Sequence, residues 1–397
     1  MIGRRQLTVA SPISALGLVR AFTDSLGDSA RIAARAREQV IREFQSRDAL
    51  LTDSGTSALV IALRLAAPQG GTVAFPGYAC VDLAAAAQFA GVRVRLYDLD
   101  PDTLSPDLES VRAVLHRGVD AIVVAHLFGY PADVPAVRDL ALSAGVNVIE
   151  DAAQGAGGSL RGRRVGGLGP LSVVSFGRGK GLCAGGGGAL LTTEDTWTER
   201  LRGLILSSGG RGWSGLAKAA IQWVLGRPSV YALPSMIAWL RLGQMVYHPA
   251  AEPRAMGVAS NALLRSAFAL ESGDIVTRRR NAAQLEAIVY RSPELRAARP
   301  IDGANPGYLR FAVRELKGCR VVDGGLGVAR PYPVTMAEQP ELRPVLLAGE
   351  PAIPGAEALR DSLFTLPSHR FVTGADIAAL GQWMSAIEPD LPRASAR

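Results

Sequence analysis

The sequence predicts an α/β fold, a mostly parallel sheet sandwiched by helices, followed by a smaller α+β C-terminal domain. Three observations carry this. Between residues 72 and 192, short continuously apolar segments alternate with stretches of helical periodicity. That is the pattern of strands buried on both faces of a parallel sheet. At 397 residues the chain is long enough for one large and one small unit. Beyond residue 245 the alternation stops, so the expected division is 1–245 and 246–397.

Within an N-terminal helical arm, residues 31–47 read as an amphipathic helix that ends in the apolar Ala49-Leu50-Leu51. Asp53-Ser54-Gly55-Thr56-Ser57-Ala58 is a turn entering a helix over 59–66. Apolar strands are expected at 72–75, 92–97, 121–125, 146–149, 171–176 and 189–192, with helices at 83–89, 107–115 and 134–144. The smaller domain opens with a helix carrying Arg278-Arg279-Arg280. Strands follow at 308–313 and 327–329, with a last helix after Thr373.

Composition excludes several function classes. The chain is 48% hydrophobic and 20% charged, as in globular α/β proteins. Its net charge of +7 is spread out, with short clusters at Arg161-Gly162-Arg163-Arg164 and Arg278-Arg279-Arg280. Without a dense basic stripe and interleaved aromatics, nucleic-acid binding is not expected. The clusters read as solvated faces, and the surplus arginine suits an anionic small substrate. Cys80, Cys183 and Cys319 form neither a disulfide framework nor a metal-ligand spacing, which points to no metal and a reducing, cytoplasmic setting. Ser11, Pro12 and Ser14 interrupt the N-terminal apolar stretch, against a signal peptide. The apolar segment 216–243 is broken by Arg227, Pro228 and Pro234, so it reads as two short helices on the core or at a subunit contact, with no integral membrane span.

Chemistry concentrates on two residues. Lys180 follows the strand 171–176 and precedes Gly185-Gly186-Gly187-Gly188; Asp151 ends the strand in Glu150-Asp151-Ala152-Ala153-Gln154. A lysine amine that forms a Schiff base, with a carboxylate that keeps a pyridine nitrogen protonated, is what pyridoxal 5'-phosphate chemistry requires. Gly55-Thr56, where a loop enters a helix, suits a phosphate dianion, although Ser54 or Thr56 as a plain helix cap is the alternative. Ser175 is placed to give a second phosphate hydrogen bond, and Gln154 to reach the cofactor's ring hydroxyl. His126, at a strand end, reads as a structural histidine.

The order of motifs resembles the DegT/DnrJ/EryC1/StrS family of sugar aminotransferases. The match rests on Ser54-Gly55-Thr56-Ser57-Ala58-Leu59, Pro76-Gly77-Tyr78, Asp98-Leu99-Asp100-Pro101-Asp102-Thr103 and His126-Leu127-Phe128-Gly129-Tyr130-Pro131. It continues through Glu150-Asp151-Ala152-Ala153-Gln154, Ser175-Phe176 with Gly179-Lys180, and then Tyr332-Pro333, Pro354-Gly355-Ala356-Glu357 and Leu366-Pro367-Ser368-His369. The resemblance implies a fold-type-I homodimer in which Lys180 is the Schiff-base lysine and Asp151 pairs with the pyridine nitrogen. It implies that Gln154 lies near the ring oxygen and that Gly55, Thr56 and Ser175 bind phosphate. The implied reaction moves an amino group from glutamate to a keto group of a nucleotide-linked deoxysugar. A lyase or dehydratase on a similar sugar, or a non-catalytic cofactor-binding regulator, are the alternatives. Three positions depart from the family pattern. Cys80 stands where a ring-stacking aromatic is usual, Gly186 where an acidic residue is usual, and Pro253-Arg254-Ala255-Met256 lacks the asparagine that a partner subunit gives to the phosphate.

Overall fold

A computed structural model of the chain describes residues 5–235, 247–316 and 323–386. Cys319 and the end of the apolar segment, from residue 236, lie outside the described residues. Two helices come first, α1 (Ala15–Ser25) and α2 (Ser29–Phe44), capped by the Ser14 hydroxyl and the Asp28 carboxylate. The helix expected to reach residue 47 stops earlier because Gln45 turns left-handed, at φ 53°. The apolar run after it is a separate strand, β1 (Asp48–Thr52).

The alternation then follows the expected order. It runs through α3 (Gly55–Ala66), β2 (Thr72–Pro76), α4 (Asp82–Ala90), β3 (Arg93–Tyr97) and α5 (Leu108–His116). Next come β4 (Ala121–Ala125), α6 (Val134–Ser143) and β5 (Asn147–Asp151). A short excursion, β6 (Ser159–Leu160) and β7 (Arg163–Arg164), turns at Arg161 and Gly162, both at positive φ. β8 (Leu171–Ser175) and β9 (Gly188–Thr192) complete the sheet, and α7 (Asp195–Arg202) follows. The apolar segment begins as two short helices, α8 (Trp213–Leu225) and α9 (Pro228–Ser235). Beyond it come the long α10 (Val258–Val289), β10 (Leu295–Ala297), β11 (Ala304–Asn305), β12 (Phe311–Glu315), α11 (Pro354–Ser362), β13 (Leu363–Leu366) and α12 (Gly374–Ser385).

The central sheet has the order β1-β9-β8-β5-β4-β2-β3. β3, β2, β4, β5 and β8 pair in parallel, while β9 runs antiparallel to both β8 and β1. Val123, Ile149, Leu171 and Leu190 are fully buried, as strands covered on both faces must be. A second core packs α10 and α12 on the sheet β10-β12-β13 through Leu285, Phe311, Val313, Leu366 and Leu380.

Two expectations for this second core are corrected. The strand expected at 308–313 is shifted to Phe311–Glu315, because Tyr308 is left-handed, at φ 44°. Residues 327–329 form no strand; Ala329 makes only an isolated bridge to Thr365 of β13. Among the described residues, no helix is long and apolar enough to cross a membrane.

One buried carboxylate ties the C-terminal segment to the sheet. Asp98, just beyond β3, accepts from the Gly355 N–H at 2.8 Å and the Ala356 N–H at 2.7 Å, capping α11. Asp98→Ala leaves both donors unpaired and should cost about 1–3 kcal/mol. The shift in urea midpoint measures it, with Asp98→Asn losing less.

Candidate active site

Parallel strands end together, and ligands of open α/β sheets bind outside their carboxyl ends. Here β4, β5 and β8 are neighbours, with Ala125 opposite Asp151 and Asp151 opposite Val173. The register brings Asp151 to the same edge as Ser175 and the turn that carries Lys180. The two charges feel each other. Burial raises the Asp151 pKa above the usual carboxylate value, while the Ala153 N–H and then the Lys180 cation work against the rise. Asp151 Oδ1 accepts from the Ala153 N–H at 3.0 Å, and Oδ2 has no donor among the described residues.

Gly55 and Thr56 form the first turn of α3, where backbone N–H groups have no partner within the helix. Ser54 is the cap, its Oγ accepting from the Ser57 N–H at 3.0 Å, so the capping reading of this motif also holds. The turn presses directly on β8. A methyl group placed on Gly55 would lie 2.8 Å from Ser175 Cβ and 3.0 Å from its Oγ. Glycine is therefore required for this close approach, and it sets the helix end beside the Ser175 hydroxyl.

Cys80, after β2, completes the cluster. Burial pushes its thiol up to about 12, and the Asp82 carboxylate acts in the same direction while Lys180 opposes both. Gln154 spans the opposite wall: Nε2 donates to Tyr332 Oη at 2.7 Å, and Oε1 accepts from the Phe128 N–H at 3.3 Å. Tyr332 in turn packs against Tyr78 and Phe128, with ring centroids 5.0 and 5.5 Å apart. Its place in this wall could be read from the sequence only as part of a motif.

His126 is structural. The Ala132 N–H donates to Nδ1 at 2.9 Å, which leaves Nε2–H to donate to Glu150 Oε1 at 3.0 Å. Glu150 also accepts from the N–H groups of Gly166, Leu168 and Gly169 and from the Ser172 hydroxyl. Burial raises the Glu150 carboxyl, but His126 and these donors outweigh it and hold the pKa below the usual value.

Two supports lay beyond the sequence reading. Arg278 does not sit on a solvated face: only 1% exposed, it pairs with Asp274 at 2.9 Å. Its Nη1 donates to the Ala156 carbonyl at 3.4 Å, just past Gln154, and a methyl group on Gly181 would lie 3.1 Å from its Nη2. The carboxylates at Glu271 and Asp274, one helical turn or two before it, were the available signal. The N-terminal arm reaches the same turn. The Ser11 hydroxyl donates to the Lys180 carbonyl at 2.6 Å, while buried His369 donates Nε2–H to the Leu7 carbonyl at 2.9 Å. Burial lowers His369 to about 4, so its ring stays neutral.

A family model, described as the DegT/DnrJ/EryC1/StrS aminotransferase family, matches residues 20–221. The chain belongs to this family. Curated relatives include a UDP-N-acetyl-3-dehydro-alpha-D-glucosamine 3-aminotransferase of Acidithiobacillus ferrooxidans. It is 37% identical over 38% of this chain and 42% of its own length. A dTDP-3-amino-3,4,6-trideoxy-alpha-D-glucose transaminase of Streptomyces venezuelae is 38% identical over 40% of this chain and 42% of its own. The matched stretch thus spans less than half of each relative. The fold extends further. The E. coli GDP-4-keto-6-deoxy-D-mannose-3-dehydratase, solved with bound hydrated PLP, superposes with a TM-score of 0.73. That match covers 96% of this chain and 99% of the other at 17% identity.

Family members depend on pyridoxal phosphate, and this chain's residues fit that group. The open Asp151 oxygen can take a ring N–H, and the Gly55–Ser175 contact forms a cradle too tight for any other side chain at position 55.

Because the folded-state Glu150 pKa is depressed, its contribution to stability is present above the unfolded value, about 4.3, and is lost as pH falls through the folded one. Glu150→Gln should lower Tm at neutral pH and flatten its fall on acidification. Thermal unfolding from about pH 7 down to pH 3 reads both effects.

Proposed function

We propose that this chain is a pyridoxal-phosphate-dependent aminotransferase that moves an amino group from glutamate to a keto group of a nucleotide-linked deoxysugar. The observation that carries the reading is that Asp151, at the end of β5, lies in the field of Lys180, on the turn that follows the neighbouring β8. When bound, the cofactor supplies an electrophilic aldehyde and an electron-withdrawing ring. Lys180 would hold that aldehyde through its amine and, once released, move a proton at the substrate carbon. Asp151 would keep a proton on the pyridine nitrogen by accepting a hydrogen bond from it. Gly55, Thr56 and Ser175 would take the phosphate, Cys80 would pack on the ring, and Gln154 would face the ring oxygen.

The two relatives that act on nucleotide-linked sugars support the substrate class. In this reading residues 1–245 carry the cofactor-holding groups and 246–397 supply the Tyr332 wall. The assembly is a homodimer, the commonest closed arrangement for such chains, in a reducing cytoplasmic setting.

The test is optical. Purified protein mixed with pyridoxal phosphate should develop a visible absorbance band that Lys180→Ala abolishes. Glutamate should bleach the wild-type band as the amino group is taken up. A protein with no band, or one unaffected by loss of Lys180, refutes the assignment. Bleaching by no amino donor favours the lyase reading.

A further inference from the structure

We propose that α1 and α8 together form a docking surface for an anionic lipid bilayer, on which the chain lies without crossing it. The inference is independent of the aminotransferase reading, because none of the residues that carry it handles cofactor or substrate.

Both helices wear their hydrophobic pattern inside out. A surface helix ordinarily turns its apolar stripe to the core and its polar side chains to water. In α1 the buried positions are Gly17, Ala21 and Ser25, while Leu16, Val19 and Phe22, with Leu26 at the C-cap, are exposed. In α8 the buried residue is Ala219, while Trp213, Ile221, Val224 and Leu225 are exposed. Each of these large apolar residues is between 38% and 60% exposed. Close packing underneath explains the inversion. A methyl group on Gly17 would collide with the Ser266 side chain of α10, and one on Gly185 would collide with the Gly215 carbonyl of α8. Only small residues fit below, so the large apolar ones are left outside.

The two faces adjoin. α1 and α8 touch each other, and both lie on α10. The Arg211 guanidinium, just ahead of α8, donates to the Ser25 carbonyl at the end of α1 at 2.7 Å. At the opposite end Ile13, which leads into α1, lines a cavity with Gln222 and Trp223 of α8. The helices therefore run antiparallel, side by side, and their exposed apolar residues share one surface. A patch of this kind marks a place where something docks.

Charge selects the occupant. Residues 200–251 contain six Lys or Arg and no Asp or Glu. Arg20, Lys218 and Arg227 are exposed on or beside the two helices, and Asp24 is the one acid within α1. A second copy related by a two-fold axis would set this basic surface against itself. An anionic bilayer instead receives the apolar residues at its acyl boundary and the flanking cations among its headgroups. Long basic side chains at the margin of the patch reach those headgroups while their stems cover apolar surface. Tryptophan favours the same boundary, and Trp213 stands on the exposed face.

The experiment is co-sedimentation of the whole chain with lipid vesicles. Phosphatidylcholine vesicles with roughly one-third phosphatidylglycerol should capture it, and phosphatidylcholine alone should not, because the cations contribute only against anionic lipid. About 0.5 M salt should weaken the capture. The double variant Ile221→Ser with Val224→Ser should raise the apparent dissociation constant roughly 10-fold, and Lys218→Glu by a comparable factor. Leu142→Ser, at an exposed apolar residue of α6 away from this face, should bind like wild type. All the substituted positions are exposed, so circular dichroism should be unchanged throughout. No capture of the wild type by anionic vesicles overturns the proposal, as does capture of the double variant within about threefold of wild type. An equal loss in Leu142→Ser overturns it too. So does a double variant that sediments at lower mass than wild type in the absence of lipid, which would put a second copy of the chain on this face.

Discussion

The buried carboxylate of Glu150 is the interaction on which the site depends. Successive strand residues point to opposite faces, so Glu150 and Asp151 face away from each other. Glu150 therefore anchors β5 from behind while Asp151 is presented in front. Its donors come from the turn at Gly166–Gly169, from Ser172 of β8 and from His126 at the end of β4. One carboxylate thus locks three adjacent strands at the end where the chemistry gathers. Such a network holds only when every member is satisfied, and here the donors outnumber the oxygens.

The parallel sheet was legible because strands buried on both faces leave continuous apolar runs; β4 coincides with its expected bounds. The sheet-edge position of Asp151, at the end of one such run, and of Lys180, in the turn just beyond another, was legible for a related reason, since polar residues at the end of a buried strand must sit at a sheet edge. What escaped was structure without a pattern of its own. β1 follows a helix after only three residues and reads as its continuation. β13 directly follows α11 with no turn residue between them, and takes its identity from pairing with β12.

Charge was the least transparent property. Arg278, Arg279 and Arg280 look alike in sequence, yet Arg278 is buried on Asp274 while Arg279 reaches the Pro306 and Gly157 carbonyls. Helical phase separates them, and phase is decided by what packs against α10.

The Ser11 hydroxyl on the Lys180 carbonyl makes the N-terminal arm a brace for the turn that bears the amine. Leu7, a few residues earlier, is held by His369 near the other end of the sequence. Proteolytic nicking between those two points would spare every group that handles substrate and leave the sheet whole. It would nevertheless free the arm from its far anchor, so a nicked chain would keep its fold while the turn bearing Lys180 lost its brace.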